Sequence, residues 1–317
     1  MESRRFLAFL APTSVLVLTY ALLISSTGSL LSQTNKTQTG ATSTPVIMFG
    51  VGSPNINAER SGTSIGIVVA GTLYVFDAGA GVERRIMEAG PKLAALNVQR
   101  FGPIFITHLH RDHTIGLAAL LQYHNMNSSG RLSSSSGVLT VYGPSGISAV
   151  MDHLRAAFAD PGLAPGIRPE ELSGVDVAPV RTTEITPGVV YRNSDMTVTA
   201  FEVAHKSPIS FGFRVQTADR VIVISGDTRP VDTVVDACRG CDFLFHELNG
   251  LQYGPGGPTG NAQGHTSAAE LGELARRAKP QHLVIYHDVN APHDAALEMI
   301  RKTFPGDVKF AQDLDIF

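Results

Sequence analysis

Apolar and polar positions along this chain fall into blocks that switch between strand and helix period. Residues 45–52, PVIMFGVG, are an apolar run that closes on a glycine turn, the pattern of a buried strand. Residues 64–70 and 72–77 are two more such runs about Gly71, which predicts a hairpin. A helical stretch at 81–89, an apolar strand at 100–107 and helical spacing at 114–123 follow. Beyond a polar loop at 127–137 come a strand at 139–142 and a helix at 146–158. The second half repeats the alternation, with strands at 196–205, 211–217, 220–225, 243–246, 282–286 and 308–311. Helices are expected at 231–237, 267–278 and 291–303, the middle one opening with Ser267 and Glu270 at capping-box spacing. A Gly/Pro-rich loop fills 249–264.

Many of these strands are joined by hairpins rather than by helices, which argues against a purely parallel, doubly wound sheet. Two β-rich halves, each with helices outside, predict an α/β (α+β) sandwich of two sheets covered on both sides. No composition break interrupts residues 45–317, so they read as one catalytic domain.

The N-terminus reads differently. Arg4 and Arg5 precede an uncharged apolar stretch at 6–24, and small or polar residues follow. Residues 1–28 therefore read as a secretory signal peptide, with a single membrane anchor as the rival, and export to the periplasm or medium is expected. Residues 29–44, rich in Ser, Thr, Gln, Asn and Gly, read as a flexible linker. The 317 residues carry a net charge of -3, which offers no general attraction for a nucleic acid. Membrane contact is expected only through an uncleaved N-terminal segment, and a homodimer stays open. Cys238 and Cys241 lack the second pair that a structural zinc site needs. They close a predicted helix rather than open one, unlike a thioredoxin motif. A local disulfide and two small, partly buried residues remain as readings.

The chemistry concentrates at residues 107–117, THLHRDHTIGL. His108 and His110 leave the same face of an extended strand end, and Asp112 and His113 lie in the turn before a helix. Imidazole and carboxylate groups so placed, between an apolar strand and an apolar helix, suit zinc. Two metals need more ligands. His205, Asp227 and His287 each close an apolar strand, where side chains can converge on one rim of a sandwich. His265, at the end of the Gly/Pro-rich loop, reads either as a proton donor to a leaving group or as a neighbour of the helix cap at Thr266 and Ser267. His124, His153, His246, His282 and His293 have no motif partner and read as structural or surface groups.

HLHRDH, VAHKSPISFGFR, SGDTR, HE followed by GHTS, and YH, in this order, resemble the metallo-β-lactamase superfamily, most closely its ribonuclease Z and arylsulfatase-like branch. The resemblance spans residues 45–317. It implies a four-layer αβ/βα sandwich with two zinc ions at its edge. Carried over, it gives one zinc to His108, His110 and His205, the other to Asp112, His113 and His287, and lets Asp227 bridge them. It implies that His265 assists proton transfer, that Glu247 orients it, and that Asp77 supports the metal loop. Two such ions acidify a bridging water, which Asp112 would orient, and polarise an ester or phosphoryl oxygen.

The resemblance implies a hydrolase of phosphodiester, sulfate ester or carboxylic ester bonds. β-Lactam hydrolysis and iron-dependent redox chemistry on the same scaffold are the alternatives, and His110 argues against iron. Residues 211–229 run straight from one motif to the next, with no room for the arm by which ribonuclease Z grips tRNA. With the acidic balance and the export signal, this leads to an expectation of a small-molecule ester substrate and no nucleic acid.

Overall fold

A computed structural model describes residues 44–55, 57–126, 137–159, 179–207, 209–254, 257, 259–289 and 291–317. The expected signal peptide, all of the expected linker but Thr44, and residues 127–136 of the polar loop lie outside the described residues.

Two mixed sheets run in sequence order. The first holds β1 (Val46–Gly50), β2 (Ser64–Val69), β3 (Thr72–Phe76), β4 (Arg100–Phe105), β5 (Leu139–Gly143) and β6 (Val180–Glu184). The second holds β7 (Gly188–Arg192), β8 (Met196–Glu202), β9 (Phe211–Thr217), β10 (Val221–Ile224), β11 (Phe243–Asn249), β12 (His282–Val289) and β13 (Asp307–Phe310). Each sheet begins antiparallel and ends parallel, the change falling at the β3–β4 and β10–β11 pairs.

The helices form the outer layers. Against the first sheet pack α1 (Val82–Glu88), α2 (Gly90–Ala95), α4 (Leu117–Met126) and α5 (Ile147–Ala159), through Val82, Ile86, Leu93, Leu117, Leu120 and Ile147. Against the second pack α6 (Asp232–Cys238), α7 (Ala268–Ala278) and α8 (His293–Arg301), through Val234, Leu271, Leu274, Ala275 and Ile300. The one-turn α3 (Arg111–Thr114) lies within the metal-motif loop. Between the sheets lies an apolar layer in which Phe76 stacks on Phe105 at 4.9 Å and Phe213 meets both edge-on. Full burial of each such ring is worth about 1.5–3 kcal/mol, so this layer fixes how the sheets face one another.

The sandwich and its helical cover match the expectation from the sequence. β6 and β7 were not foreseen. Their VRTTE and GVVYR are short, half-exposed and at sheet edges, so neither shows the apolar run that marks a buried strand. α2 was not foreseen either; Pro91 occupies its first turn, where its missing N–H has no partner to lose. Cys238 and Cys241 are joined as a disulfide, with Cα atoms 4.7 Å apart.

Parallel strands point their C-terminal ends the same way, and the site grows from this geometry. β3, β4 and β10 deliver Asp77, Thr107–His108 and Asp227 just past their ends, and β11 and β12 deliver Glu247 and His287 two residues before theirs. Ligand sites in sheets of this kind form outside the carboxyl ends of the strands.

Candidate metal centre

Three ring nitrogens meet first. His110 Nδ1 lies 3.0 Å from His108 Nε2 and 3.1 Å from His205 Nε2. Donor atoms held tetrahedrally by one zinc at about 2.0–2.1 Å sit roughly 3.3 Å apart, so the spacing is that of ligands to a common ion. A second group lies beside them. Asp112 Oδ2 is 3.1 Å from His287 Nε2 and 3.5 Å from His113 Nε2. Asp227 stands between the groups. Its Oδ2 faces His205 Nε2 at 3.8 Å and His108 Nε2 at 3.9 Å. Its Oδ1 faces His113 Nε2 at 3.4 Å and His287 Nδ1 at 3.5 Å. All seven ligand-type residues read from the sequence therefore come together, in two groups.

The fit to a cation can be tested on atoms that have nothing else to do. His113 Nε2, His287 Nδ1 and Asp227 Oδ1 are buried and lack any hydrogen-bond partner among the described residues. Buried polar atoms are rarely left so, because each costs about 1–3 kcal/mol. On three of the rings the other nitrogen has a partner, which fixes their tautomers. His113 Nδ1 donates to Asp77 Oδ2 at 2.8 Å, and His205 Nδ1 donates to the Gly264 carbonyl at 2.9 Å. His108 Nδ1 lies 3.0 Å from the Thr107 hydroxyl, which donates on to Asp77. Carboxylate and carbonyl partners behind imidazole ligands are what orient them toward a metal. These donors fit a pair of divalent cations.

Charge tells the same story. Burial depresses His108, His110 and His205, and neighbouring imidazoles, His113 among them, add to it against the pull of Asp227, which favours the neutral form that ligands need. Burial alone would also depress His113, but Asp227 and Asp77 flank it and raise it well above the usual range. The carboxylates that draw a proton there would draw a cation equally.

The backbone is bent to hold the metal loop. Asp77 and His287 both adopt left-handed conformations, with φ of 60° and 48°, uncommon away from glycine and a mark of functional strain. Asp77 accepts from Thr107 N at 2.8 Å, and the neighbouring Ala78 N donates to the His113 carbonyl at 2.8 Å. Gly79 completes the turn. A Cβ there would lie 2.7 Å from the Asp112 carbonyl, so only glycine lets the two loops approach so closely.

His265 stands beside the metal groups, and with His205 and Asp227 it forms a third set of potential donors. Its Nδ1 lies 3.2 Å from Glu247 Oε1, though not aligned as a hydrogen bond. Glu247 is fully buried. Burial, and Asp227 after it, raise its carboxyl well above the usual range, against the pull of His287 and the Thr228 and Thr266 N–H groups that donate to Oε1. His246, expected to be structural or at the surface, belongs to none of these donor sets. It is buried, its Nδ1 donates to the Glu247 carbonyl, and burial lowers its pKa to about 4.

Several groups at the site escaped the reading of the sequence. Arg111, Lys206 and Asn249 line the same cavity of about 720 Å³ as His110, Asp112, Asp227 and His265. The Tyr253 hydroxyl lies within 3.4 Å of the Asn249, Ala262 and His265 carbonyls, and so pins the loop that carries His265. Arg111 sits inside the HLHRDH motif and could have been weighed. Nothing in sequence spacing marks the others.

A family model for the β-lactamase superfamily domain matches residues 72–287, which hold every residue of the site. The chain belongs to the metallo-β-lactamase superfamily. Among relatives of this superfamily member is a ribonuclease Z from Mycobacterium sp. (strain KMS), 29% identical over 280 residues that cover 85% of this chain and 94% of the relative. Another is a ribonuclease Z from Pyrococcus furiosus, 26% identical over 278 residues, covering 76% of this chain and 85% of that one. Among solved structures, a metallo-β-lactamase fold protein from Bacillus subtilis superposes with a TM-score of 0.66 at 17% identity, covering 86% of this chain and 98% of the other. The short form of human tRNase Z superposes at 0.60 and 22% identity, over 86% and 98% of the chains. The chain is a metal-dependent hydrolase of this superfamily.

These relatives correct one expectation. A chain whose relatives along most of its length are ribonucleases cannot be denied a nucleic-acid substrate, as the net charge and the missing arm had suggested. The error was physical. Net charge sums over the whole chain, whereas affinity for phosphates depends on the cations beside the site, and here Arg111 and Lys206 line it.

Proposed function

We propose that the chain is a dinuclear zinc phosphodiesterase that cuts the phosphodiester bonds of RNA strands. The observation that carries this reading is the pair of donor groups sharing Asp227, whose two carboxylate oxygens face one group each. His108, His110 and His205 would hold one ion, Asp112, His113 and His287 the other, and Asp227 both. When bound, such ions polarise a phosphoryl oxygen and make water acidic enough to attack at neutral pH.

The chain's own residues do the rest. Asp112 lines the cavity and accepts a hydrogen bond from the attacking water, which orients it. His265 gives a proton from Nε2 to the leaving oxygen, while Glu247 Oε1 lies 3.2 Å behind Nδ1. Arg111 and Lys206 add positive charge at the cavity wall, which supports a phosphate-bearing substrate. The ribonuclease Z relatives support the same substrate class.

Elemental analysis of the purified domain should give close to two zinc per chain, and the loaded enzyme should cleave both a chromogenic phosphodiester and a single-stranded RNA. One iron and no zinc, or no cleavage of either substrate, would sink the reading. His265→Ala should slow cleavage by about 10²-fold or more, with the loss growing as the leaving group becomes more basic. An equal loss across leaving groups would remove the proton-donor role alone. The pattern of residues 1–28 supports export, which N-terminal mass spectrometry of the native protein tests: an intact Met1 on a cytoplasmic protein would refute it.

A further inference from the structure

The cavity over the metal groups does not end there. A second cavity of about 920 Å³ shares His205, Lys206 and His265 with the first and continues to Arg229. Arg229 follows Asp227 by two residues, and its backbone N–H donates to the Ala204 carbonyl at 3.0 Å, so its position is tied to the site. Its side chain is exposed and makes no hydrogen bond or ion pair with any described residue. By contrast Arg239, Arg276 and Arg277, on the helices that follow, each pair with a carboxylate. The acid in the cavity, Glu270, turns back onto Ser267, whose N–H and hydroxyl both donate to Oε2. The cavity thus holds, in Arg229, a guanidinium without a carboxylate partner among the described residues, in a chain whose net charge is -3.

A third cavity, of about 580 Å³, shares Asn55 and Val289 with the first on its other side. Its cation, Arg60, is bound to Asp288, so that wall carries no spare positive charge. The trough is therefore asymmetric about the metal groups.

We propose that the cavity of Arg229 and Lys206 is an anion subsite for the strand phosphate one linkage beyond the scissile bond, on the leaving-group side. The inference rests on the phosphodiesterase reading for the word scissile, and on the cavities for the rest. His265 sets the side. It stands at the divide between the two cavities, and a proton donor must face the leaving oxygen, so the strand beyond that oxygen passes His265 into the second cavity. The planar fork of an arginine suits a phosphate, with two parallel N–H donors for two oxygens. The third cavity offers the phosphate on the other side no such partner.

Two trinucleotides test this, each with one of its two linkages replaced by a neutral methylphosphonate. Each leaves one cleavable bond, and the products show which side carried the leaving oxygen. In the wild-type zinc enzyme, neutralising the leaving-side phosphate should lower kcat/KM about tenfold, and neutralising the other about twofold or less. In Arg229→Gln the leaving-side penalty should shrink to about twofold. A penalty of unchanged size in the variant, or a larger penalty on the other side, would overturn the subsite. A second arm reads binding without turnover. A fluorescent RNA pentamer is titrated by anisotropy against full-length His265→Ala, with and without Arg229→Gln, over a range of salt. Loss of one phosphate contact should reduce the slope of log affinity against log salt by about 0.7, and an unchanged slope would overturn the proposal. If the wild type leaves the unmodified trinucleotide uncut while the slope still falls, the subsite stands and the phosphodiesterase reading fails.

Discussion

The two halves of the sandwich build the metal centre in opposite ways. The first half supplies His108, His110, Asp112 and His113 from six consecutive residues, and then clamps that loop with one neighbour, Asp77. The second half supplies His205, Asp227 and His287 from three separate strand ends, with His265 on a loop. A local motif needs only one turn held in place. A dispersed set needs the register of a whole sheet, because β8, β10 and β12, none of them neighbours in the sheet order, must bring His205, Asp227 and His287 to the same rim. The first half should therefore fail one pocket at a time, and the second should fail as a unit.

Asp227→Ala tests this most severely. It removes the carboxylate that faces both donor groups, with two imidazoles on each of its oxygens. Zinc should fall from two per chain to less than one, and activity by about 10³-fold or more, as expected when both ions are disturbed. Elemental analysis and a chromogenic phosphodiester assay read the two effects. A variant that keeps both ions and full turnover would show that Asp227 does not join the pockets.

Asp77→Asn should do less, and on one side. The amide can still accept from Thr107 but no longer offers His113 a charged acceptor. Loss of such a partner behind a ligand costs about 10–100-fold in metal affinity. Competition with a chromophoric chelator should show one weakened site, that of Asp112, His113 and His287, and one near its wild-type strength. Equal weakening of both would mean that the Thr107 link to His108 carries as much as the direct bond to His113.

The same contrast explains what could be read from the sequence. HLHRDH was legible because its residues are contiguous and bounded by apolar runs. Asp227 and His287 were legible because each closes an unbroken apolar strand, VIVI or HLVIY, that marks its own end. Ser267 and Glu270 form the capping box that their spacing announced. Arg229, Asn249 and Tyr253 gave no such sign, since each matters only through neighbours far along the chain. Net charge misled about nucleic acid for the same reason: it discards position. β6 and β7 were lost because edge strands need bury only part of one face.

The smallest effect concerns the joint between the halves. Thr44 enters β1 in the first sheet, and Asp219 lies on the β9–β10 turn of the second. Asp219 accepts from the Thr44 N–H at 2.7 Å, the Thr44 hydroxyl at 2.6 Å and the Thr217 hydroxyl at 2.9 Å. Burial nudges its carboxyl upward, but the bonds from Thr44 outweigh this and hold it below the usual value. A carboxyl depressed on folding stabilises the fold above its unfolded pKa, near 3.9, and that contribution disappears as pH falls through the lower folded value. Asp219→Asn should thus lower stability at pH 7 by about 1 kcal/mol or less, since the group is exposed and water screens it. Denaturant melts of both proteins should differ most near neutrality and converge below about pH 4. Zinc content should not change, because the joint lies away from every metal ligand's hydrogen bonds. A gap that widened in acid would reverse the sign and show that Asp219 is held by its burial rather than by Thr44. A loss of zinc with the stability would show that the metal rim depends on how the sheets are tied as well as on strand register, which would undo the contrast between the halves.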